Sequence, residues 1–300
     1  MRVAVIGAGG LGAVLADAAA GAGHAVELCV RTPIDRLVLV RDGEELVPAV
    51  RVLTAPAGVE APADVVFLTV KATDTAGAAG WLTALVGPST LVVVVQNGLD
   101  HAARLAPYVP AGTAIAPCLA YLAAERLGDG RVRHLAGNLL MVPADAAPRV
   151  AEAVEAGGMK VRGADDMLTA AWRKLLGNLV ANPITALTLR RIDVMKDPGI
   201  ADLARGLLTE AVAVGAAEGA LFPPDEVERI VEGTARYGPE TGSSMLYDRL
   251  AGRPLEHRYL TGEVVRRGAA HGIPTPLNSA LLALLDALDR GRSSGSAERA

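Results

Sequence analysis

The first thirty residues constrain this fold more than any other stretch. "RVAVI" (Arg2 to Ile6) reads as a short buried strand, "GAGGLGAVLADAAAGAG" as a glycine turn running into a helix, and "AVELCV" (Ala25 to Val30) as a second strand. Gly7, Gly9 and Gly12 fill the pattern G-x-G-x-x-G. The first glycine permits a tight turn, the second lets backbone approach a pyrophosphate, and the third lets helix and strand pack closely. The helix N-terminus adds unpaired N–H groups and a partial positive charge. A glycine-rich turn alone often serves only packing. Here it follows a strand and opens a helix within a βαβ-length unit, so Gly7, Ala8, Gly9, Gly10, Leu11 and Gly12 are expected to bind a dinucleotide.

The end of the second strand bears on which dinucleotide. An acidic residue there would bind a ribose 2′-hydroxyl. This chain has Arg31 and Thr32, and Glu27 lies inside the strand. Arginine suits a 2′-phosphate, which favours NADPH over NADH, with an ordinary solvated arginine as the alternative. "DVVFLTV" (Asp64 to Val70) and "LVVVV" (Leu91 to Val95) read as further buried parallel strands, ending in Lys71 and in "QNG" (Gln96 to Gly98). Ligands of open α/β sheets gather beyond the carboxyl ends of the strands. Gly7, Arg31, Lys71 and Asn97 are therefore expected on one edge, although alone Lys71 could be a solvated charge and Asn97 a turn-former. "TAIAP", "RVRHL" and "NLLMV" (Thr113 to Val142) read as shorter strands extending the same sheet, and "PRVAEAVEAGG" (Pro148 to Gly158) as a helix.

From Leu168 the strand signals stop. Helical periods cover 168–188, 200–219, 224–237, 241–251, 255–271 and 276–290, punctuated by Gly and Pro. The fold class is thus an α/β N-terminal Rossmann-type domain with a mainly parallel sheet, followed by an all-α C-terminal domain. The expected boundaries are 1–165, 166–291, and a low-complexity, disordered tail over 292–300. One helix, "AWRKLLGNLVANPITAL" (Ala171 to Leu187), carries Lys174, Asn178 and Asn182 at four-residue spacing. Residues four apart lie roughly 40° apart around a helix axis, so these form one polar stripe. Asparagine is a poor mid-helix residue, and a merely solvated face more often carries Glu, Lys and Gln. Pro183 removes an N–H at the end of the stripe. Ser243 and Ser244 are candidate N-caps, and Glu256 a candidate first-turn acid.

Composition excludes other classes. The 300 residues carry a net charge of −4 and no long basic run, which disfavours nucleic-acid or anionic-membrane partners. No apolar run approaches the ~20 residues needed to cross a bilayer, and the opening residues lack the long apolar core of a signal peptide. Cys29 and Cys118 fit neither a disulfide framework nor a metal motif, and the histidines are scattered. A cytoplasmic protein without a metal is expected, with oligomeric state left open and a homodimer as one option.

Taken together, "GAGGLG", "VRT", "TVKA", "QNG", "WRKLLGNLVANPITAL", "SSMLYD" and "EHRYLTGEVVRRGAAHGIPTP" resemble the ketopantoate reductase (2-dehydropantoate 2-reductase) family across nearly the whole chain. The resemblance implies a Rossmann domain and a helical domain with the active site in the cleft between them. It also implies NADPH-dependent reduction of 2-dehydropantoate to pantoate, a step towards pantothenate and coenzyme A. By position, Lys174 is similar to the family's catalytic lysine and Glu256 to the substrate-binding carboxylate of its catalytic constellation. Asn97, Asn178, Asn182 and Ser244 match its polar contacts to substrate, and Arg31 and Lys71 its cofactor contacts, with Asn97 at its strand end also expected to meet the cofactor by bridging nicotinamide ribose and substrate. Thr241 stands where some members have asparagine, and "TLRRIDVM" (Thr188 to Met195) lacks a common asparagine-glycine pattern. These departures leave open a reductase of the same build acting on another branched or hydroxylated 2-keto acid. A non-catalytic NADPH-binding regulator is the more distant alternative.

Overall fold

The computed structural model describes residues 1–295. The chain divides into two compact units: Met1–Gln96 with Asp100–Met167, and Asn97–Leu99 with the residues from Leu168 onward.

The first unit runs β1 (Arg2–Ile6), α1 (Gly10–Gly21), β2 (Ala25–Cys29), β3 (Val38–Arg41), β4 (Glu44–Leu46), β5 (Val50–Leu53), β6 (Val65–Leu68), α2 (Ala79–Leu85), β7 (Leu91–Val94), α3 (His101–Leu105), β8 (Ala114–Pro117), β9 (Leu119–Gly128), β10 (Arg131–Pro143), α4 (Ala147–Val154) and β11 (Lys160–Ala164). Six strands form a sheet in the order β5-β2-β1-β6-β7-β8, every neighbour parallel. That is the doubly wound order, and it reverses direction between β1 and β6. Side chains alternate strictly between two buried faces. Val3, Val5, Val26, Leu28, Val65, Phe67, Leu91 and Val93 join a core with α1 and α4. Ala4, Ile6, Cys29, Val66, Leu68, Val92 and Val94 join another with Trp81, Leu82 and Leu85 of α2 and Leu105 of α3. A strand buried on both faces is apolar at nearly every position, which explains the runs of valine and leucine.

Two expectations about this unit need correction. "RVRHL" and "NLLMV" do not extend the main sheet. They are the two ends of β10, a 13-residue strand in a second sheet of order β11-β10-β3-β4, with β9 antiparallel to β10. Its register shifts around residues 131, 134–136 and 136–139, and Gly137 takes φ +75° where a Cβ would stand 2.4 Å from the Tyr121 carbonyl oxygen. That irregularity splits one strand into two apparent runs. The segment after Gly158 contains a further strand, β11, parallel to Leu139–Pro143.

The second unit consists of α5 (Met167–Thr188, its first residue assigned to the first unit), α6 (Pro198–Ala217), α7 (Glu226–Ala235), α8 (Ser244–Leu250), α9 (Thr261–His271) and α10 (Pro276–Gly295). Helix α5 is its centre: Trp172, Leu175, Leu176, Leu179, Val180 and Ile184 are buried with Leu207, Leu208, Ala211 and Val214 of α6. Gly215 lets α6 lie directly on this core, because a Cβ there would meet the Trp172 ring at 2.9 Å. Arg173 forms a two-pronged bond to buried Glu226 of α7, at 2.7 and 3.0 Å. Helix α10 continues to Gly295, into the segment where low complexity suggested a disordered tail, and residues 296–300 lie outside the described residues. Among the described residues no helix is long and apolar enough to cross a membrane, and no group of three or more His, Cys, Asp or Glu is placed to hold a metal.

Candidate active site

In the first unit the glycine turn joins β1 to α1 at the strand-order reversal. Gly7 adopts φ +110°, closed to ordinary side chains, and donates to the Cys29 carbonyl at 2.9 Å. Gly12 sits so close to the turn that a Cβ would stand 1.8 Å from the Gly7 carbonyl oxygen. A Cβ at Gly9 would meet nothing within 4 Å, so the space above the turn is open. Gly9 is the N-cap of α1 with no side-chain cap, and the first turn carries no acid. Its N–H groups and positive helix end are thus offered to an anion. The turn fits the pyrophosphate of a dinucleotide.

Two residues that the sequence reading passed over hold this edge together. The Thr69 hydroxyl, just past β6, lies 2.9 Å from both the Ile6 and Gly7 carbonyl oxygens and ties β6 to the turn. Gln96, buried after β7, donates from Nε2 to the Val70 carbonyl at 3.0 Å and the Lys71 carbonyl at 3.4 Å. Its Oε1 accepts from Arg104 at 3.0 Å, and its own carbonyl pairs with the buried His101 ring at 2.8 Å. Gln96 therefore fixes the backbone that carries Lys71. Their signal was position alone: each polar residue ends a buried strand at the edge where ligands gather. Arg31 follows β2 and is exposed. Cys29 is buried at the end of β2, and burial, aided by Glu27, pushes its thiol up to about 12.

Gly7, Arg31 and Lys71 follow β1, β2 and β6 as expected. Asn97 follows β7 by way of Gln96, and its side chain bonds within the helical unit. Its Nδ2 donates to Glu256 Oε2 at 3.1 Å, and its Oδ1 accepts from Asn178 Nδ2 at 3.4 Å. Glu256 is 5% exposed, an acid buried against an amide. Asn178 is half-buried on α5, and half-buried Lys174 lies one turn before it on the same row. Asn97, Asn178 and the buried Glu256 carboxylate thus come together, and Lys174 stands on the same row of α5 as Asn178.

Asn182 has a second duty. Its Oδ1 accepts from the Ser244 hydroxyl at 3.0 Å and from the Met245 N–H at 3.1 Å, satisfying the start of α8. Ser243 is the N-cap of α8, accepting from Leu246 N at 3.1 Å, and its hydroxyl lies 2.6 Å from Thr185 Oγ1 of α5. Asn182 and Thr185 together grip the first turn of α8, which places exposed Ser244 beside the stripe. The two departures from the family pattern also meet: Ile192 donates its N–H to the Thr241 carbonyl at 2.9 Å, and Arg191 reaches the Glu240 carbonyl at 2.7 Å.

Comparison with known proteins agrees in both units. The sequence model described as ketopantoate reductase PanE/ApbA matches residues 3–145, and the one for its C-terminal part matches residues 166–289. A 2-dehydropantoate 2-reductase of Caulobacter vibrioides is 37% identical over 289 residues, 95% of this chain and 98% of that protein. One of Mycobacterium tuberculosis is 37% identical over 292 residues, 96% of this chain and 98% of its own length. Among solved structures, a PanE/ApbA family ketopantoate reductase of Ralstonia eutropha superposes with a TM-score of 0.88 at 32% identity, covering 98% of this chain and 100% of the other. A dimeric ketopantoate reductase of Staphylococcus aureus does so at 0.87 and 26%, covering 97% and 100%.

Proposed function

This chain belongs to the ketopantoate reductase family, and we propose that it is an NADPH-dependent 2-dehydropantoate 2-reductase, forming pantoate in the cytoplasm on the route to pantothenate and coenzyme A. The observation that carries the reading is the hydrogen-bonded set Asn178–Asn97–Glu256, joined through Asn178 to the row of α5 that bears Lys174. The nicotinamide cofactor supplies the hydride for C2, which no side chain can. The glycine turn Gly7–Gly12 holds its pyrophosphate, Arg31 takes the 2′-phosphate, and Lys71 adds charge at the end of β6. Lys174, as an ammonium, stabilises the negative charge that builds on the carbonyl oxygen and gives that oxygen its proton. Such general-acid help is worth on the order of 10²–10⁴-fold, and charge stabilisation adds to it. Glu256 accepts from a substrate hydroxyl, Ser244 donates to the substrate carboxylate, and Asn178 and Asn182 keep the lysine row and α8 in place. The Staphylococcus aureus relative is described as dimeric, and a homodimer is the assembly we propose here, readable by light scattering.

The test follows NADPH oxidation with 2-dehydropantoate beside a panel of other branched and hydroxylated 2-keto acids. Turnover concentrated on 2-dehydropantoate upholds the substrate. Turnover concentrated on another acid moves the assignment within the same chemistry, and the contact between Thr241 and the 188–195 segment is where to look for the cause. Lys174→Ala is expected to lower kcat at least about a hundredfold while NADPH still binds. Turnover near wild type would remove Lys174 from the acid role.

A further inference from the structure

Glu256 does not hold its own position. Its backbone lies in a short connection between α8 and α9, and the residues on either side are tied to one face of α10. Leu255 donates its N–H to Asp289 Oδ1 at 3.4 Å. The His257 ring places Nε2 2.9 Å from Asp286 Oδ1, and Arg258 Nε donates to the same oxygen at 2.9 Å. His257 is 2% exposed and its Nδ1 has no partner among the described residues. Among the described residues the contact with Asp286 is therefore the only polar restraint on that ring. Helix α10 is itself fixed at its other end, where Glu210 of α6 accepts the Leu277 and Asn278 N–H groups at 2.8 and 3.0 Å and Asn278 Nδ2 reaches the Leu207 carbonyl at 3.1 Å. The His257 contact, foremost, holds the Asp286 carboxyl below the usual carboxylate range, so it remains an anion at neutral pH.

We propose that Asp286 is a positioning residue for the substrate site: by holding His257 and Arg258 it sets the connection from which the buried Glu256 carboxylate meets the substrate hydroxyl. The proposal rests on the reading of Glu256 given above. A buried carboxylate gains from a directed hydrogen bond only when its place is fixed beforehand, and α10 supplies that fixity.

The experiment measures KM, kcat, NADPH affinity and melting temperature for five variants of the full chain. Asp286→Ala is expected to raise KM for the 2-keto acid about tenfold, the loss expected from one misplaced charge-assisted bond. NADPH affinity and kcat should stay within about threefold of wild type. Asp286→Asn keeps an Oδ1 that can accept from both His257 and Arg258, and it should restore KM to within about threefold of wild type. His257→Ala breaks the same contact from its other end and should raise KM as Asp286→Ala does, which keeps the test alive if Asp286→Ala does not accumulate. Asn278→Ala loosens α10 far from Glu256 and should lower the melting temperature without moving KM. If Asp286→Ala and His257→Ala lower only the melting temperature while Glu256→Gln raises KM, the positioning role is overturned and Glu256 keeps its own. If Glu256→Gln leaves KM unchanged, the substrate reading of Glu256 falls first and the positioning role goes with it.

Discussion

The glycine turn yields a pair of substitutions with opposite signatures. In Gly12→Ala the new methyl would stand 1.8 Å from the Gly7 carbonyl oxygen and 2.6 Å from Thr69 Oγ1. That is roughly 1.6 Å inside an ordinary contact. Rotamer changes cannot relieve it, because the nearest atom is backbone, so α1 must back away from β1. It has little room to do so. A Cβ at Gly10 would already be 2.7 Å from the Ala124 carbonyl oxygen, and one at Gly157 would be 1.8 Å from that of Ala18 on α1. Overpacking against movable side chains costs about 1–3 kcal/mol, so this backbone collision belongs at about 3 kcal/mol or above. At about 2–4 °C per kcal/mol for a unit of this size, the melting temperature should fall by roughly 6–12 °C or more. NADPH binding should weaken at least about tenfold, since α1 carries the N–H groups that meet the phosphates.

Gly9→Ala reverses the pattern. A Cβ there meets nothing within 4 Å, and the backbone at φ −76° is open to alanine. Lower unfolded-state entropy offsets the poorer N-cap, so stability should stay within about 1 kcal/mol of wild type. The methyl would nonetheless occupy the space into which the pyrophosphate must come. NADPH affinity should fall about a hundredfold or more, equivalent to about 2.7 kcal/mol. Scanning calorimetry gives the melting temperatures, and fluorescence titration without keto acid gives the affinities. Wild-type NADPH affinity in Gly9→Ala would refute the placement of the phosphates on this turn. An unchanged melting temperature in Gly12→Ala would refute the packing argument.

Three further outcomes are expected. Arg31→Ala should weaken NADPH at least about tenfold and leave NADH nearly unchanged; equal losses in titrations of both would reject the 2′-phosphate contact. Asn182→Ala strands the Met245 N–H at the start of α8, so urea denaturation should show a loss of about 1–3 kcal/mol before any effect on turnover is considered. A thiol pushed up to about 12 is ionised at pH 8 in only about one molecule in ten thousand, so Cys29 should resist iodoacetamide until the protein unfolds, and rapid labelling in the folded state would contradict its burial.

The strands β1, β6 and β7 were legible because a parallel strand covered on both faces is largely apolar, and β2 breaks that pattern only at Glu27, which pairs with Arg51. The second sheet lacked that signature. Strand β9, "LAYLAAERLG", contains alanine, glutamate and arginine, residues with little preference for strands, and its pairing with β10 overrides its composition. A signal for this sheet was nevertheless available. "RDGE" and "GDGR" each set Asp-Gly between strands, and Asp42, Gly43, Asp129 and Gly130 all take positive φ, as tight hairpin turns require. The site was legible where chemistry and spacing coincide, as in the α5 stripe. Thr69, Gln96 and Asp286 were not, because each acts by holding backbone or a neighbour, and nothing in the local sequence marks that.

The amides of the stripe answer why asparagine, a poor helix former, occurs there at all. A carboxylate only accepts hydrogen bonds, so Glu256 requires that Asn97 turn its Nδ2 towards it. Asn97 turns its Oδ1 towards Asn178, and Asn178 donates to it from its own Nδ2. The bonds run from Asn178 through Asn97 towards the charge at the end. They leave Asn178 Oδ1, an acceptor, on the row that bears Lys174, where it suits an ammonium or a substrate hydroxyl. Aspartate at 178 could not donate and would set a second negative charge near Glu256, while alanine would remove the bond from Asn178 Nδ2 to Asn97 Oδ1. At 182 the logic runs the other way: the start of α8 supplies donors, and the amide oxygen receives them. One row of one helix thus uses the same residue type in opposite polarities, which a side chain that is both donor and acceptor permits and a charged one does not.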